Sequence, residues 1–325
     1  MSIRMKIYNQ DSQTIILLCS HLCSDEKAKP YAPAEWAKLS TRLAAAGMAP
    51  REILAFSDED LKSKLDISSE EIERMNRLVE RSASIDKEIK RYAHMGIEII
   101  TVADEHYPKA LKQKLGKSCP PLFYYAGDPS LGETICIGFV GSRDADIDAE
   151  RFTNSIVEKV NSKGFAVVSG GARGIDSIAQ TASIGNGSSC IAYLPDSLAK
   201  RIKGKNVLDA LLNSQLLLLS AAIPEAGFTT GMAMMRNKFI YSHSAGTVVI
   251  KSDYNKGGTW SGAIDSIKNK RCLTFCWNNP EYKGNLELIN RGAIPIDEQW
   301  EPILLAFGFG DNSFASPDQF SLFGA

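Results

Sequence analysis

Three short stretches carry groups that could hold an anion. Gly141-Ser142-Arg143 closes the apolar run Ile135–Val140, and Ser169-Gly170-Gly171-Ala172-Arg173-Gly174-Ile175-Asp176 closes the run Phe165–Val168. Arg236-Asn237-Lys238 follows later. Glycine lets a backbone come close to a ligand, and each stretch adds a guanidinium. Free N–H groups at a helix start beside a fixed guanidinium suit phosphate. A basic run, Lys200, Arg201, Lys203 and Lys205, follows another apolar segment. Several cations along one edge could track consecutive phosphates, as single-strand grooves do, with Phe228, Phe239 and Tyr241 as candidate stacking surfaces.

The elements between these stretches must bring them together. Apolar residues at Ile147, Phe152, Ile156, Val157 and Val160 predict a helix over 147–163, so the opening unit reads strand, helix, strand with parallel strands. Ligands in such sheets bind beyond the carboxyl ends of the strands, where both glycine loops fall. Alternation continues: helix 175–184, strands 190–194, 216–221, 247–251 and 272–277, and helices 207–212 and 263–268. Residues 97–102 and 122–126 read as strands leading into the sheet. The expected fold is α/β, an extended Rossmann-like, doubly wound and mainly parallel sheet. Residues 33–92 read as short helices, with Ser57 and Ser68 placed to cap two of them. Three units are expected: a small N-terminal helical domain over 1–95, the Rossmann-like domain over 96–300 and a C-terminal tail over 301–325.

Composition narrows the function. A net charge of −1 over 325 residues means that any nucleic-acid surface must be a local patch. Seven scattered cysteines with no CxxC pair suit reduced thiols in a cytoplasmic protein. The four histidines form no spaced ligand set, so no metal is expected. The apolar stretch 15–19 is too short to span a membrane. Neither glycine loop fits a dinucleotide fingerprint or a Walker loop, so no cofactor and no catalytic residue is assigned.

GFVGSR at 138–143, SGGARGID at 169–176, MRNKFI at 235–240 and GGTWSGA at 257–263 resemble, in order, the segments of DprA/Smf DNA-processing proteins. IITVADEHYPKAL and PPLFYYAGD resemble that family's approach to its first strand. The resemblance runs over about Met95–Phe275, and the ordered set is more specific than any one piece. It implies a Rossmann-like domain that binds single-stranded DNA as a homodimer. By position, Arg143, Arg173, Arg236 and Lys238 would contact phosphates; Ser142, Ser169 and Gly170 would line the groove, with Gly171 and Asn237 in the same segments. Family members hand strands to a RecA-type recombinase in DNA uptake, or sit in phage-defence or toxin–antitoxin modules where they restrain a co-encoded toxin. The chain departs from the family pattern in having Lys238 for a second arginine and Gln180 for a histidine, and in leaving no room for a C-terminal winged helix. Lysine keeps the charge but not the bidentate geometry.

Two other readings stay open. One is a nucleotide phosphoribohydrolase of the related LOG scaffold, although GGTWSGAID offers Asp265 where those enzymes place a glutamate. The other is a sensor of a nucleotide-derived signal. Separately, Gln319-Phe320-Ser321-Leu322-Phe323 resembles the peptide that docks on the bacterial sliding clamp, with Gln319, Leu322 and Phe323 as the contacts.

Overall fold

The computed structural model describes residues 6–24 and 29–302. Helices come first: α1 Gln10–Cys19, α2 Pro33–Ala45, α3 Asp58–Leu65, α4 Ser69–Glu80 and α5 Ser82–Ala93. Ser57 and Ser68 cap α3 and α4, their hydroxyls accepting from the N–H groups of Asp60 and Glu71 at 3.2 Å. Helix α1 is an addition to the sequence reading; Asn9 caps it by accepting from Ser12 N–H at 2.8 Å.

The remainder alternates: β1 Glu98–Thr101, α6 Lys109–Leu115, β2 Leu122–Gly127, β3 Cys136–Val140, α7 Ile147–Ser162, β4 Ala166–Ser169, α8 Ile175–Gly185 and β5 Cys190–Tyr193. After these come α9 Leu198–Arg201, α10 Lys205–Leu212, β6 Leu216–Ser220, α11 Thr230–His243, β7 Gly246–Val249, α12 Gly257–Asn269, β8 Leu273–Trp277, α13 Lys283–Asn290 and β9 Ile294–Ile296. All nine strands form one sheet in the order β1-β2-β6-β5-β4-β3-β7-β8-β9. Seven of them, from β6 to β9, run parallel, while β1 and β2 pair antiparallel at one edge. The lead-in strands of the sequence reading are thus the antiparallel edge. Short β9, with Pro295 at its centre, closes the other edge, where a missing N–H costs no ladder bond.

The strand sequences explain why both faces are covered. Leu216–Leu219 are all buried; Leu216 and Leu218 face one core, Leu217 and Leu219 the other. Each such side chain contributes about 1.5–3 kcal/mol on burial. The first core is built with Ile156, Val157, Ile175 and Ala179 of α7 and α8; it runs on without a break into Ile15, Leu39, Leu43 and Leu78 of the N-terminal helices. The second is built with Leu111, Phe239, Ile240, Ala263 and Leu288 of α6, α11, α12 and α13.

Polar ties reinforce that junction. The Ser20 and Tyr124 hydroxyls share a hydrogen bond of 2.9 Å. Arg91 of α5 grips Glu225, in the segment between β6 and α11, through two parallel bonds of 2.9 and 3.0 Å, and Tyr92 donates to the same carboxylate at 3.2 Å. Arg91 holds the Glu225 carboxyl below the usual carboxylate range. The thiols of Cys19, Cys119, Cys136, Cys190, Cys272 and Cys276 are buried and unbridged. Among the described residues no helix is long and apolar enough to cross a membrane, and no group of three acidic, histidine or cysteine side chains could hold a metal ion.

Candidate functional site

The order in which the parallel strands are laid down reverses at β3. From it the strands proceed to β4, β5 and β6 on one side and to β7, β8 and β9 on the other. Loops leaving β3 and β7 therefore part company, and a crevice opens beyond their carboxyl ends. A cleft of about 580 Å³ lies there. Ser142 and Arg143 enter it from β3, Lys251 and Asp253 from β7, Arg236 and Asn237 from α11, and Gly257 to Thr259 from the start of α12.

Close glycine contacts assemble the cleft. Gly174 has φ +81°, and a Cβ there would strike the Ser142 and Arg143 carbonyls. Without one, Ile175 N–H reaches Ser142 O at 3.2 Å and locks the two glycine loops together. Ser142 N–H donates to Lys251 O at 2.9 Å, fixing the β3 loop to the β7 loop. At Gly170 the missing Cβ leaves room for the Arg236 guanidinium, which a methyl group would overlap.

Arg236 is consequently at the floor of the cleft. It is 6 % exposed and donates from Nη1 to Asp176 Oδ2 at 3.1 Å. Among the described residues its Nε has no partner, nor does the hydroxyl of Tyr241, which also lines the cleft. Burial pushes the Asp176 carboxyl up, and Arg236 pulls it part of the way back. Asp176, read from the sequence as a carboxylate favoured by a helix start, is thus the partner of an arginine sixty positions away.

The mouth is differently built. Arg143 is exposed, with its guanidinium 5.7 Å from the Phe228 ring centre, and Phe228 is itself half exposed. Arg173 lies outside the cleft lining but reaches it by donating to Asp144 at 2.7 Å. Lys251 donates to Asp146 at 2.7 Å and to Asp144 O at 3.2 Å. Partial burial disfavours the Asp146 anion, but bonds from Lys251, Tyr282 and Ala149 N–H outweigh it and hold the pKa down to about 2. Lys256 stands at the start of α12, where no side chain caps the first turn. Those first-turn N–H groups carry the positive end of the helix dipole. Asn237 donates to Gly258 O at 3.0 Å, tying α11 to that start.

Four of the nine residues singled out in the sequence line the cleft directly: Ser142, Arg143, Arg236 and Asn237. Ser169, Gly170 and Gly171 are buried beneath it, and Lys238 is exposed beyond its lining. Of the basic run, Arg201 comes beside Gly171, while none of the four lines the cleft. Phe239 is core, edge-on to Phe123 at 5.2 Å. Lys251, Lys256 and the α12 start were missed. The glycines of GGTWSGA were the available signal: the helix begins at Gly257, not at Ala263. Gln319, Leu322 and Phe323 lie outside the described residues.

A doubly wound, mainly parallel sheet with a cation-bearing cleft beyond its strand ends defines a Rossmann-like α/β protein. The sequence profile of the DNA recombination-mediator protein A family matches residues 98–307, and the chain belongs to that family. It is 25% identical to the DNA processing protein DprA of Bacillus subtilis, over 68% of this chain and 75% of the relative. To Protein Smf of Escherichia coli it is 27% identical, over 68% of this chain and 62% of that protein. The fold matches DprA of Streptococcus pneumoniae at a TM-score of 0.60 and 20% identity, covering 82% of this chain and 95% of that one. It also matches DNA processing protein A of Helicobacter pylori, a protein described as binding single-stranded DNA, at 0.54 and 24% identity, covering 65% and 96%.

Proposed function

We propose that the cleft binds the sugar–phosphate backbone of single-stranded DNA, and that the protein acts without catalysis in DNA processing. One observation carries this reading. Arg143, Lys251, Lys256 and the open start of α12 converge on one crevice whose mouth bears an exposed aromatic ring, Phe228. Backbone N–H groups and cations take phosphate oxygens, while a ring with an open face stacks any base. Arg236 supports the floor, its guanidinium held by Asp176, and Gly170, Gly171 and Ser169 shape the loop that seats it. Arg173 and Lys238, exposed and outside the cleft lining, are further phosphate contacts in this reading.

The wider assignment follows the family: a homodimer in the cytoplasm, engaging a RecA-type recombinase in recombination or a co-encoded toxin in defence. The domain limits expected from the sequence, 1–95 and 96–300, are kept as the units of that assignment.

The test is titration of a fluorescent oligothymidylate of increasing length. Affinity that rises with length and falls steeply with salt supports a strand-binding groove. Saturation by a mononucleotide, with no gain from length, supports a nucleotide sensor or phosphoribohydrolase instead.

A further inference from the structure

Four cations and three carboxylates line the cleft: Arg143, Arg236, Lys251 and Lys256 against Asp144, Asp176 and Asp253. Asp176 serves the buried floor. Asp144 does something else. It follows Arg143 directly on the β3 loop, is 86% exposed at its side chain, and holds the guanidinium of Arg173 at 2.7 Å. Its neighbour Asp146 caps α7 by accepting from Ala149 N–H at 2.8 Å and is bound by Tyr282, so its carboxylate has structural work. Among the described residues Asp144 caps no helix and takes no other ion pair. It places one anion at the cleft mouth, on the one arginine that reaches it from the second glycine loop.

We infer that Asp144 is a built-in competitor for backbone phosphate: its carboxylate occupies Arg173 in the free protein and must be displaced when a strand enters. This rests on the strand-binding reading of the cleft. Asp144 takes Arg173 through one bond, Nη2 to Oδ1, and a phosphate oxygen bound at that nitrogen has to displace it. Displacement costs what an exposed ion pair is worth, and the freed carboxylate stays beside the incoming phosphates. Asp144 therefore lowers affinity and flattens its salt dependence, because Arg173 enters the complex already neutralised. Such a latch favours long strands, whose other contacts outweigh the local cost, over isolated nucleotides.

The experiment compares the full chain with Asp144→Asn, using an oligothymidylate of about twenty nucleotides, longer than a single-strand site of this kind. Asp144→Asn is expected to tighten binding about twofold to fivefold at low salt, the range set by an exposed ion pair. The slope of log affinity against log salt should steepen by about 0.7, one added phosphate contact on a single strand. In an Arg173→Ala background the same change should leave the slope where it was. If the unaltered chain binds and Asp144→Asn binds with the same constant and slope, the latch is overturned while the groove stands. If neither chain binds, both readings fall together.

Discussion

Arg236 and Asp176, from helices on opposite faces of the sheet, meet with 3.1 Å between Nη1 and Oδ2 in a space that exists because residue 170 lacks a side chain. Both are nine-tenths buried, so removing one partner strands the other's charge in a poorly solvated place. Asp176→Ala is expected to cost about 3–5 kcal/mol. The joint change Asp176→Leu with Arg236→Met should recover most of that. Urea unfolding midpoints of the parent and the two variants check both statements.

Gly170→Ala tests the same arrangement from the backbone side. A methyl group there overlaps the guanidinium and comes within 2.7 Å of Asp176 Oδ2. Overpacking of this kind costs about 1–3 kcal/mol. The expected result is a lower unfolding midpoint together with weaker oligonucleotide binding. A variant as stable as the parent would show that Arg236 can move aside.

Among the described residues Arg143 has no comparable structural partner, only the exposed ring of Phe228, and Arg173 has only exposed Asp144. Arg143→Ala with Arg173→Ala should therefore leave the unfolding midpoint unchanged within error. Single-strand affinity should fall about tenfold or more, since hydrogen bonds to charged groups are worth about 1.5–3 kcal/mol each. Fluorescence anisotropy measures the affinity, and circular dichroism confirms the fold.

His243 predicts a pH effect. Its ring is buried between Tyr193 and Gly132, with Nε2 3.0 Å from Gly132 O and Nδ1 2.9 Å from the Tyr193 hydroxyl. A carbonyl only accepts, so Nε2 carries the proton and Nδ1 accepts from tyrosine. Burial lowers the pKa to about 4 from its ordinary 6.5. The unfolded chain thus takes up a proton before the folded one does. The contribution is fully present above 6.5 and is lost as pH falls from there toward 4. Between pH 7.5 and pH 5 this amounts to about 2 kcal/mol. Denaturant titrations at those two pH values should show it, and His243→Gln should lack this part of the difference.

Much of the sheet was legible because its strands are short apolar runs punctuated by glycine and proline, and a run such as Leu216–Leu219 is buried on both faces whatever its neighbours are. Strand direction was not legible: nothing local in residues 122–127 says that they run against the rest, or that residues 98–101 run with it. Residues 294–296 escaped notice because three residues around a proline carry no periodicity, and β8 alone makes them a strand. At the site, glycine spacing located the loops, but charge type did not tell floor from mouth. Arg236 and Lys238 are two positions apart on α11, yet helical geometry turns one onto Gly170 and the other to solvent. Lys251 looked like an ordinary polar end to a strand until β7 was seen beside β3.

Because Arg91 fastens Glu225, the aromatic loop answers to helices that precede the sheet. A fragment beginning at Glu98 would bare Ile99 and Tyr124 and release the segment that presents Phe228. Truncation is therefore a poor way to isolate the crevice. By the same mechanics, prying α5 away would loosen the segment that carries Phe228 at the crevice mouth.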